Sequence, residues 1–491
     1  MSTPPGPRIL NLQELASHGD RRGRRALLEI LEAGLQASNP YHNTLKAVRR
    51  EGTRLIVGGS EFELEGDRQS GYEEVDLKKI DRIFVFGAAK GVQHVARALE
   101  HVLGDRLSGG HVIDKRGHPL VLDKIEVTLG AHPVPDEACV QGCQRIVEMS
   151  RGLTANDLVF SIVGNGVSSL LTLPAPGIAL EDVRKVTHLM QVERGVPTRE
   201  LNPIRNHLDL MKGGRISRHF RPARVIHLLI TDPVSFTVRI YGNVWLHTLP
   251  DTTGFQDAVS LLKKWEVWEE VPASVRRHLE RADPEMETVK PAEFLQMGSR
   301  IFALMPPHLT KLPAAMNKAQ ELGFKPVLLA RELHDIEASQ AALYLTAVAR
   351  TVERTGQPAE PPCALFASGE MVVTVGKHKG IGGRNQEMVL ASAMEISGSR
   401  NILIGSVDTD GTDGPGDQFV EGYGDIPCLA GGIVDGTTLA ESRAAGIDIA
   451  EELRRHNTSP PLRKLNSGIV ASPNVSLVDL TVALVMGRNE D

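Results

Sequence analysis

The feature that most constrains this chain is a unit that recurs along its first half: a short apolar run, a turn, then residues with helical apolar spacing. The run Ile83-Phe84-Val85-Phe86 ends in Gly87-Ala88-Ala89-Lys90-Gly91, and residues 92–103 place apolar side chains at helical intervals. Similar runs stand at 110–114, 158–164 and 225–232. Such runs are too short for buried helices and too uniformly apolar for a sheet with one wet face, so they predict a buried, mostly parallel sheet. In doubly wound sheets of this kind, ligands sit beyond the carboxyl ends of the strands.

The rest of the chain fits around that sheet. Residues 26–37 have helical spacing, 45–63 read as strands and turns, and 256–280 as a charged, Trp-containing helical stretch. The polar linker 283–291 follows, and apolar runs resume at 302–305, 326–329, 363–367, 372–375, 401–405 and 480–485. The expectation is an α/β protein of two domains. An N-terminal doubly wound, Rossmann-like parallel domain spans 20–285, and a C-terminal mixed α/β domain spans 295–487.

Composition removes several classes of function. With 491 residues the chain can bury a large core, and its net charge of −6 arises from 61 acidic and 55 basic residues without long single-sign blocks. A nucleic-acid partner would need a basic excess on one face, and 4% aromatic residues offer little for stacking. Cys139, Cys143, Cys363 and Cys428 are too scattered for a disulfide framework and read as buried free thiols in a reducing cytoplasm. Cys139 and Cys143 share a helix face, but no second pair has zinc-type spacing. No apolar h-region opens the chain and no apolar run nears the ~18 residues of a membrane span, so neither a signal peptide nor a membrane partner is expected.

Five segments carry chemistry-bearing residues at expected strand ends. Gly382-Gly383-Arg384-Asn385-Gln386-Glu387 precedes an apolar run, so it reads as a loop opening a helix with its free N–H groups toward an anion. The plain alternative is a glycine turn before a surface helix. Lys90 follows a buried strand, where a lysine can meet a phosphate or carboxylate; a solvated lysine is the ordinary reading. Gly164-Asn165-Gly166-Val167-Ser168-Ser169 suits either an anion-cradling loop or a tight turn with a serine cap.

The stretch 200–215 puts Asn202, Arg205 and Asp209 on one helix side, an odd set to bury, before Lys212-Gly213-Gly214-Arg215. It can equally be an exposed basic helix end stabilised by its dipole. Residues 408–417 crowd four aspartates into a Gly-rich turn. That suits a hard cation such as Mg²⁺ through Asp410 or Asp413, or an acidic surface turn. Neither a P-loop nor a nicotinamide fingerprint is present.

These motifs together resemble the class II glycerate 2-kinase family with its C-terminal MOFRL-type domain, over residues 20–487. The segments 130–137, 202–215, 382–387 and 409–417 carry the resemblance. It implies a two-domain α/β enzyme with its active site in the interdomain cleft, moving the ATP γ-phosphoryl to the 2-hydroxyl of glycerate. It also implies that Lys90 and Arg384 are the catalytic pair, which suits a reaction governed by positioning and charge stabilisation.

On this reading Asn202, Arg205, Asn385 and Glu387 bind the hydroxy-acid substrate, and Arg205 offers its carboxylate a planar fork. Gly164, Gly166, Ser168, Lys212, Gly213 and Gly214 bind the nucleotide, Asp410 and Asp413 hold Mg²⁺, and a homodimer is expected. The chain departs from the family at Val167 in the first anion loop, at 243–251, where Trp245, Leu246 and His247 add bulk, and at 471–476. Those departures predict weaker ATP affinity and an acceptor larger or less polar than glycerate. They leave open a non-kinase enzyme (lyase, decarboxylase or reductase) acting on a small hydroxy- or keto-acid, and a catalytically silent binding protein.

Overall fold

The structure is a computed structural model that describes residues 6–69, 71–376, 380–414 and 428–487, apart from the side chain of Val192. It divides into two compact units.

One unit is continuous, Asn39–Pro306. It opens with the helix Pro40–Ala47, followed by an antiparallel ribbon of β1 (Val48–Glu51), β2 (Arg54–Val57) and β3 (Glu73–Asp76). The main sheet contains β4 (Ile83–Ala88), β5 (Gly109–Lys115), β6 (Glu126–Gly130), β7 (Leu158–Val163), β8 (Arg224–Leu229) and β9 (Arg300–Ala303). Its order is β6-β5-β4-β7-β8-β9, and every pairing is parallel. The order runs outward from β4 in both directions, so it is doubly wound, as the repeated unit predicts. Strands β4 and β7 are buried at every position, which explains why they show no polar alternation.

A separate cluster in this unit joins Leu201 and Ile204 of the helix Thr198–His207 to Phe255, Val259 and Leu262 of the helix Phe255–Lys264. The expected single stretch 256–280 is in fact two helices, Phe255–Lys264 and Ala273–Arg281.

The other unit joins Met1–Ser38 to Pro307–Asp491. Its sheet holds β10 (Lys325–Ala330), β11 (Cys363–Gly369), β12 (Ile402–Asp408), β13 (Gly431–Asp435), β14 (Gly468–Ile469) and β15 (Asp479–Val485). The order is β10-β11-β15-β12-β13-β14; only β10 and β11 pair in parallel. Along β15, Leu480, Val482 and Leu484 enter one core cluster while Ala483 and Val485 enter another. Period-two alternation therefore feeds two covered faces, and past Asp479 every position but Thr481 is apolar.

The expected boundaries change at both ends. The helix Arg21–Ala37, capped by Asp20 accepting from Gly23 N–H, lays Leu27, Leu28, Leu31 and Leu35 into the core of Leu403, Ile433 and Leu480. Its buried Arg24 pairs with Asp435 of β13 at 2.6 Å. Residues up to 38 thus belong with the C-terminal sheet instead of opening a domain that starts at 20. Burying each such leucine is worth about 1.5–3 kcal/mol. The run 302–305, expected to begin the second sheet, instead supplies β9, the last strand of the first sheet, with Ile226 opposite Arg300. The run 372–375 forms only an isolated bridge at Val372.

Candidate functional site

In the parallel-sheet unit, the turns after β4 and β7 are tied together where the strands end. Lys90 N–H donates to the Asn165 carbonyl at 2.8 Å, and Gly91 N–H donates to Asp114 at 2.7 Å. Gly166 has φ +86°, and a Cβ there would stand 2.6 Å from Lys90 Cγ. Glycine is needed twice over, for the left-handed backbone and to let the lysine stem lie on the loop. The fold thus brings Lys90 to Gly166, with Gly164 beside Ala89.

Val167 differs from expectation. It opens the helical turn Val167–Leu170, and its side chain is buried in the main core. The left-handed residue is Gly166, so Val167 strains no anion loop. Ser168 Oγ lies 2.8 Å from His247 Nε2. Leu246, expected as added bulk, is buried core, and His247 is buried too.

The helix Thr198–His207 holds the most unusual cation. Arg205 is 7% exposed, and its guanidinium donates to Gln191 Oε1 at 2.6 Å and to Asn202 Oδ1 at 3.4 Å. Both acceptors are neutral amides; among the described residues it makes no ion pair. Burial lowers its pKa to about 10. Asn202 beside it is fully buried, and its Nδ2 has no hydrogen-bond partner among the described residues. A buried cation left uncompensated is costly, and such costs gather at ligand sites.

Asp209 does not join that side of the helix as a ligand group. It accepts from Lys212 Nζ at 2.6 Å and from the Leu173 and Met211 N–H groups. Lys212, 1% exposed, also donates to Thr172 at 2.9 Å. Gly213 and Gly214 have φ +59° and +81°, and a Cβ on them would stand 2.5 Å from Thr288 and 2.8 Å from Val289. Lys212, Gly213 and Gly214, expected as a nucleotide loop, are therefore an internal brace: the lysine is spent on Asp209, and the glycines admit close backbone approach.

In the mixed-sheet unit, Gly383 and Arg384 open the helix Arg384–Glu395, as the sequence predicts. The anion at its N-terminus is the protein's own Asp413, which accepts from Asn385 N–H at 3.1 Å and Gln386 N–H at 2.9 Å. Asn385 Nδ2 donates to both Asp413 and Asp479, and Gln386 Nε2 donates again to Asp413. Glu387 pairs with His456 Nδ1 at 2.9 Å.

Arg384 is clamped by Asp479 and Asp408, each at 2.8 Å, with Glu370 at 3.5 Å. Burial opposes its charge, yet Asp479, Asp408 and Glu370 together hold its pKa well above the ordinary guanidinium value. Asp479, at the head of β15, went unread because one aspartate before an apolar run looks like a strand terminus.

The expected metal residues do not fit a metal. Asp413 spends both oxygens on the helix N-terminus, and Asp410 Oδ1 accepts from Thr412 N–H and Oγ1, each at 2.7 Å. Among the described residues no group of three or more His, Cys, Asp or Glu side chains is placed to hold a metal ion. Pro415, Gly416 and Asp417 of that segment lie outside the described residues. At 471–476, Arg8 donates to the side chain and carbonyl of Ser472, and Asn474 is buried with neither side-chain atom hydrogen-bonded among the described residues. No helix among the described residues is long and apolar enough to cross a membrane.

These units define a two-domain α/β protein whose strand-end loops gather buried cations and amides. A family described as "Domain of unknown function (DUF4147)" matches residues 26–280, and the MOFRL family matches 363–478. The chain is 31% identical to a glycerate 2-kinase of Pyrococcus horikoshii over 94% of its own length and 97% of the relative's. It is 31% identical to a D-glycerate 2-kinase of Thermotoga maritima over 84% and 93% of the two chains. The crystal structure of a glycerate kinase from Thermotoga maritima matches with TM-score 0.69 and 29% identity, over 93% of this chain and 98% of that one. The chain belongs to the glycerate 2-kinase family.

Proposed function

We infer that this protein is a glycerate 2-kinase that transfers the γ-phosphoryl of ATP to the 2-hydroxyl of glycerate. The observation that carries the reading at the site is Arg205, a buried guanidinium that among the described residues bonds only to amides, beside Asn202 Nδ2, which has no partner among them. That pairing suits a small carboxylate, which would supply the missing charge and accept both donors. We assign Arg205 and Asn202 to the carboxylate of the acceptor. Family membership over nearly the whole chain supports kinase chemistry over a lyase, decarboxylase, reductase or silent binding protein.

Transfer forms a bond from the 2-hydroxyl oxygen to the γ-phosphorus and breaks the bridge to the β-phosphate. ADP leaves, and the hydroxyl proton passes to solvent. The work is neutralising charge and aligning the two oxygens. Lys90, whose stem lies on Gly166, is the cation we assign to the transferred group; Arg384, held by Asp408 and Asp479, keeps its charge within that clamp. Gly164, Gly166 and Ser168 form the loop assigned to the nucleotide's phosphates.

Asn385 and Glu387 act at one remove as positioning residues, since Asp413, Asp479 and His456 already occupy them. Any Mg²⁺ needed with ATP is left to the nucleotide's own phosphates, and no step runs through Asp410 or Asp413. The same reading expects a cytoplasmic homodimer, which light scattering checks.

Steady-state kinetics with ATP and glycerate test the proposal. Lys90→Ala should lower kcat by about 10²–10³, the loss typical of removing one preorganised donor. Absence of phosphoglycerate from reactions of the unaltered protein across a range of hydroxy acids would overturn it.

A further inference from the structure

We propose that His247 is a positioning residue that frees the Ser168 hydroxyl to donate to an anionic oxygen of a bound substrate; this rests on the kinase reading above. Three observations carry it. The contact between Ser168 Oγ and His247 Nε2 is 2.8 Å. The His247 ring is 1% exposed, and its other nitrogen, Nδ1, has no hydrogen-bond partner among the described residues. Ser168 sits two residues beyond Gly166, the glycine on which the Lys90 stem lies.

Those facts select a tautomer. If Ser168 donated to Nε2, the ring proton would sit on Nδ1 as a buried N–H with no acceptor, which proteins rarely tolerate. With the proton on Nε2, the ring donates to Ser168 Oγ, and Nδ1 keeps only an unprotonated lone pair. An unsatisfied acceptor is the lesser cost.

The charged surroundings agree. Burial is the main cause holding the ring neutral, and Lys212 and Arg205 add to it. Both cations favour a lone pair over a second N–H. With Oγ already accepting from His247, the serine O–H has no acceptor within the pair and points its donor capacity elsewhere. Its place in the loop after β7 makes an anionic oxygen the fitting acceptor.

The His247 backbone is fixed as well: its carbonyl accepts the Gly214 N–H at 2.9 Å. That gives the Lys212-Gly213-Gly214 turn a purpose. It seats the histidine that aims the serine.

The anionic oxygen belongs either to the triphosphate or to the acceptor's carboxylate, and kinetics separate the two. The test compares Ser168→Ala, His247→Ala, His247→Gln and the double alanine variant. KM for ATP and for glycerate would be measured alongside ADP and glycerate titrations by calorimetry. Losing one charge-assisted donor should raise one of the two KM values by about tenfold or more, with kcat changed far less.

The double variant should be no worse than Ser168→Ala, because His247 acts only by aiming the hydroxyl that Ser168→Ala removes. His247→Gln, whose amide N–H can replace Nε2–H, should return KM to within about threefold of the parent. Additive losses, no rescue by glutamine, or both KM values unchanged would overturn the proposal. Should His247→Ala fail to fold, Ser168→Ala and His247→Gln carry the test. Should the unaltered protein phosphorylate nothing, the kinase reading falls on its own. The titrations still decide this proposal, which is lost if Ser168→Ala and His247→Ala bind ADP and glycerate as the parent does.

Discussion

Arg205 is buried and Arg384 partly buried, and their surroundings are opposite. Among the described residues Arg205 meets only the amide oxygens of Asn202 and Gln191, and burial brings its pKa down to about 10. Arg384 is gripped by Asp408 and Asp479 with Glu370 nearby, and those carboxylates hold its charge firmly in place. The first arginine is an unmet charge, and the second is a finished structural ion group with an orientation to offer. Stability and ligand binding should therefore respond to the two in opposite ways.

The largest expected effect on stability is at Arg384. Arg384→Ala takes the guanidinium away from Asp408 and Asp479, both nearly fully buried carboxylates. The folded state should lose about 3–5 kcal/mol, read from denaturant unfolding. A loss below about 1 kcal/mol would mean that the clamp is relaxed in solution.

Arg205→Met should do the reverse. Without ligand its stability should match or exceed the parent's, since a buried charge without a counter-charge has been removed. KM for glycerate should rise by about 10- to 100-fold. A variant that is both strongly destabilised and normal in KM would make Arg205 a structural residue and erase the contrast.

At Asp413, the capping reading predicts that Asp413→Ala costs about 1–2 kcal/mol, while Asp413→Asn keeps much of the cap. If adding Mg²⁺ without nucleotide raised the thermal midpoint of the parent but not of Asp413→Ala, the metal reading would return in place of the cap.

The smallest effect concerns pH. Burial pushes the Glu387 carboxyl above its ordinary range, with His456 opposing. A raised folded value means that its contribution is fully present below the unfolded carboxylate pKa and is lost as pH rises through the folded one. Glu387→Gln should therefore gain on the parent as pH rises above the ordinary glutamate range, by no more than ~1 kcal/mol. An unchanged pH–stability profile would show that the His456 pairing cancels the burial.

The same contrast shows what the sequence could and could not reveal. The strands at 83–86 and 158–164 were legible because a central parallel strand is buried at every position and mostly apolar, Ser161 being the exception. The run at 302–305 was legible as a strand but not as a member of the first sheet, since membership depends on pairing with β8, far away in sequence. The placement of Arg21–Ala37 on the C-terminal sheet rests on equally remote contacts, such as Arg24 with Asp435.

Among site residues, Lys90 with Gly166 and Arg384 at a helix start follow from glycine placement and apolar spacing. Lys212-Gly213-Gly214 looked like an anion loop because spacing cannot show that Asp209 already holds the lysine. His247 was visible only as bulk. Its contact with Ser168 joins segments with no local pattern in common.

The central claim, that Arg205 awaits the acceptor's carboxylate, is tested most directly by calorimetric titration of glycerate into the parent and Arg205→Met, with unfolding measured on the same samples. The account predicts binding to the parent, binding lost or weakened by about tenfold or more in the variant, and stability undiminished. Equal affinity in the two proteins, or lost binding together with a collapse of the fold, would contradict it.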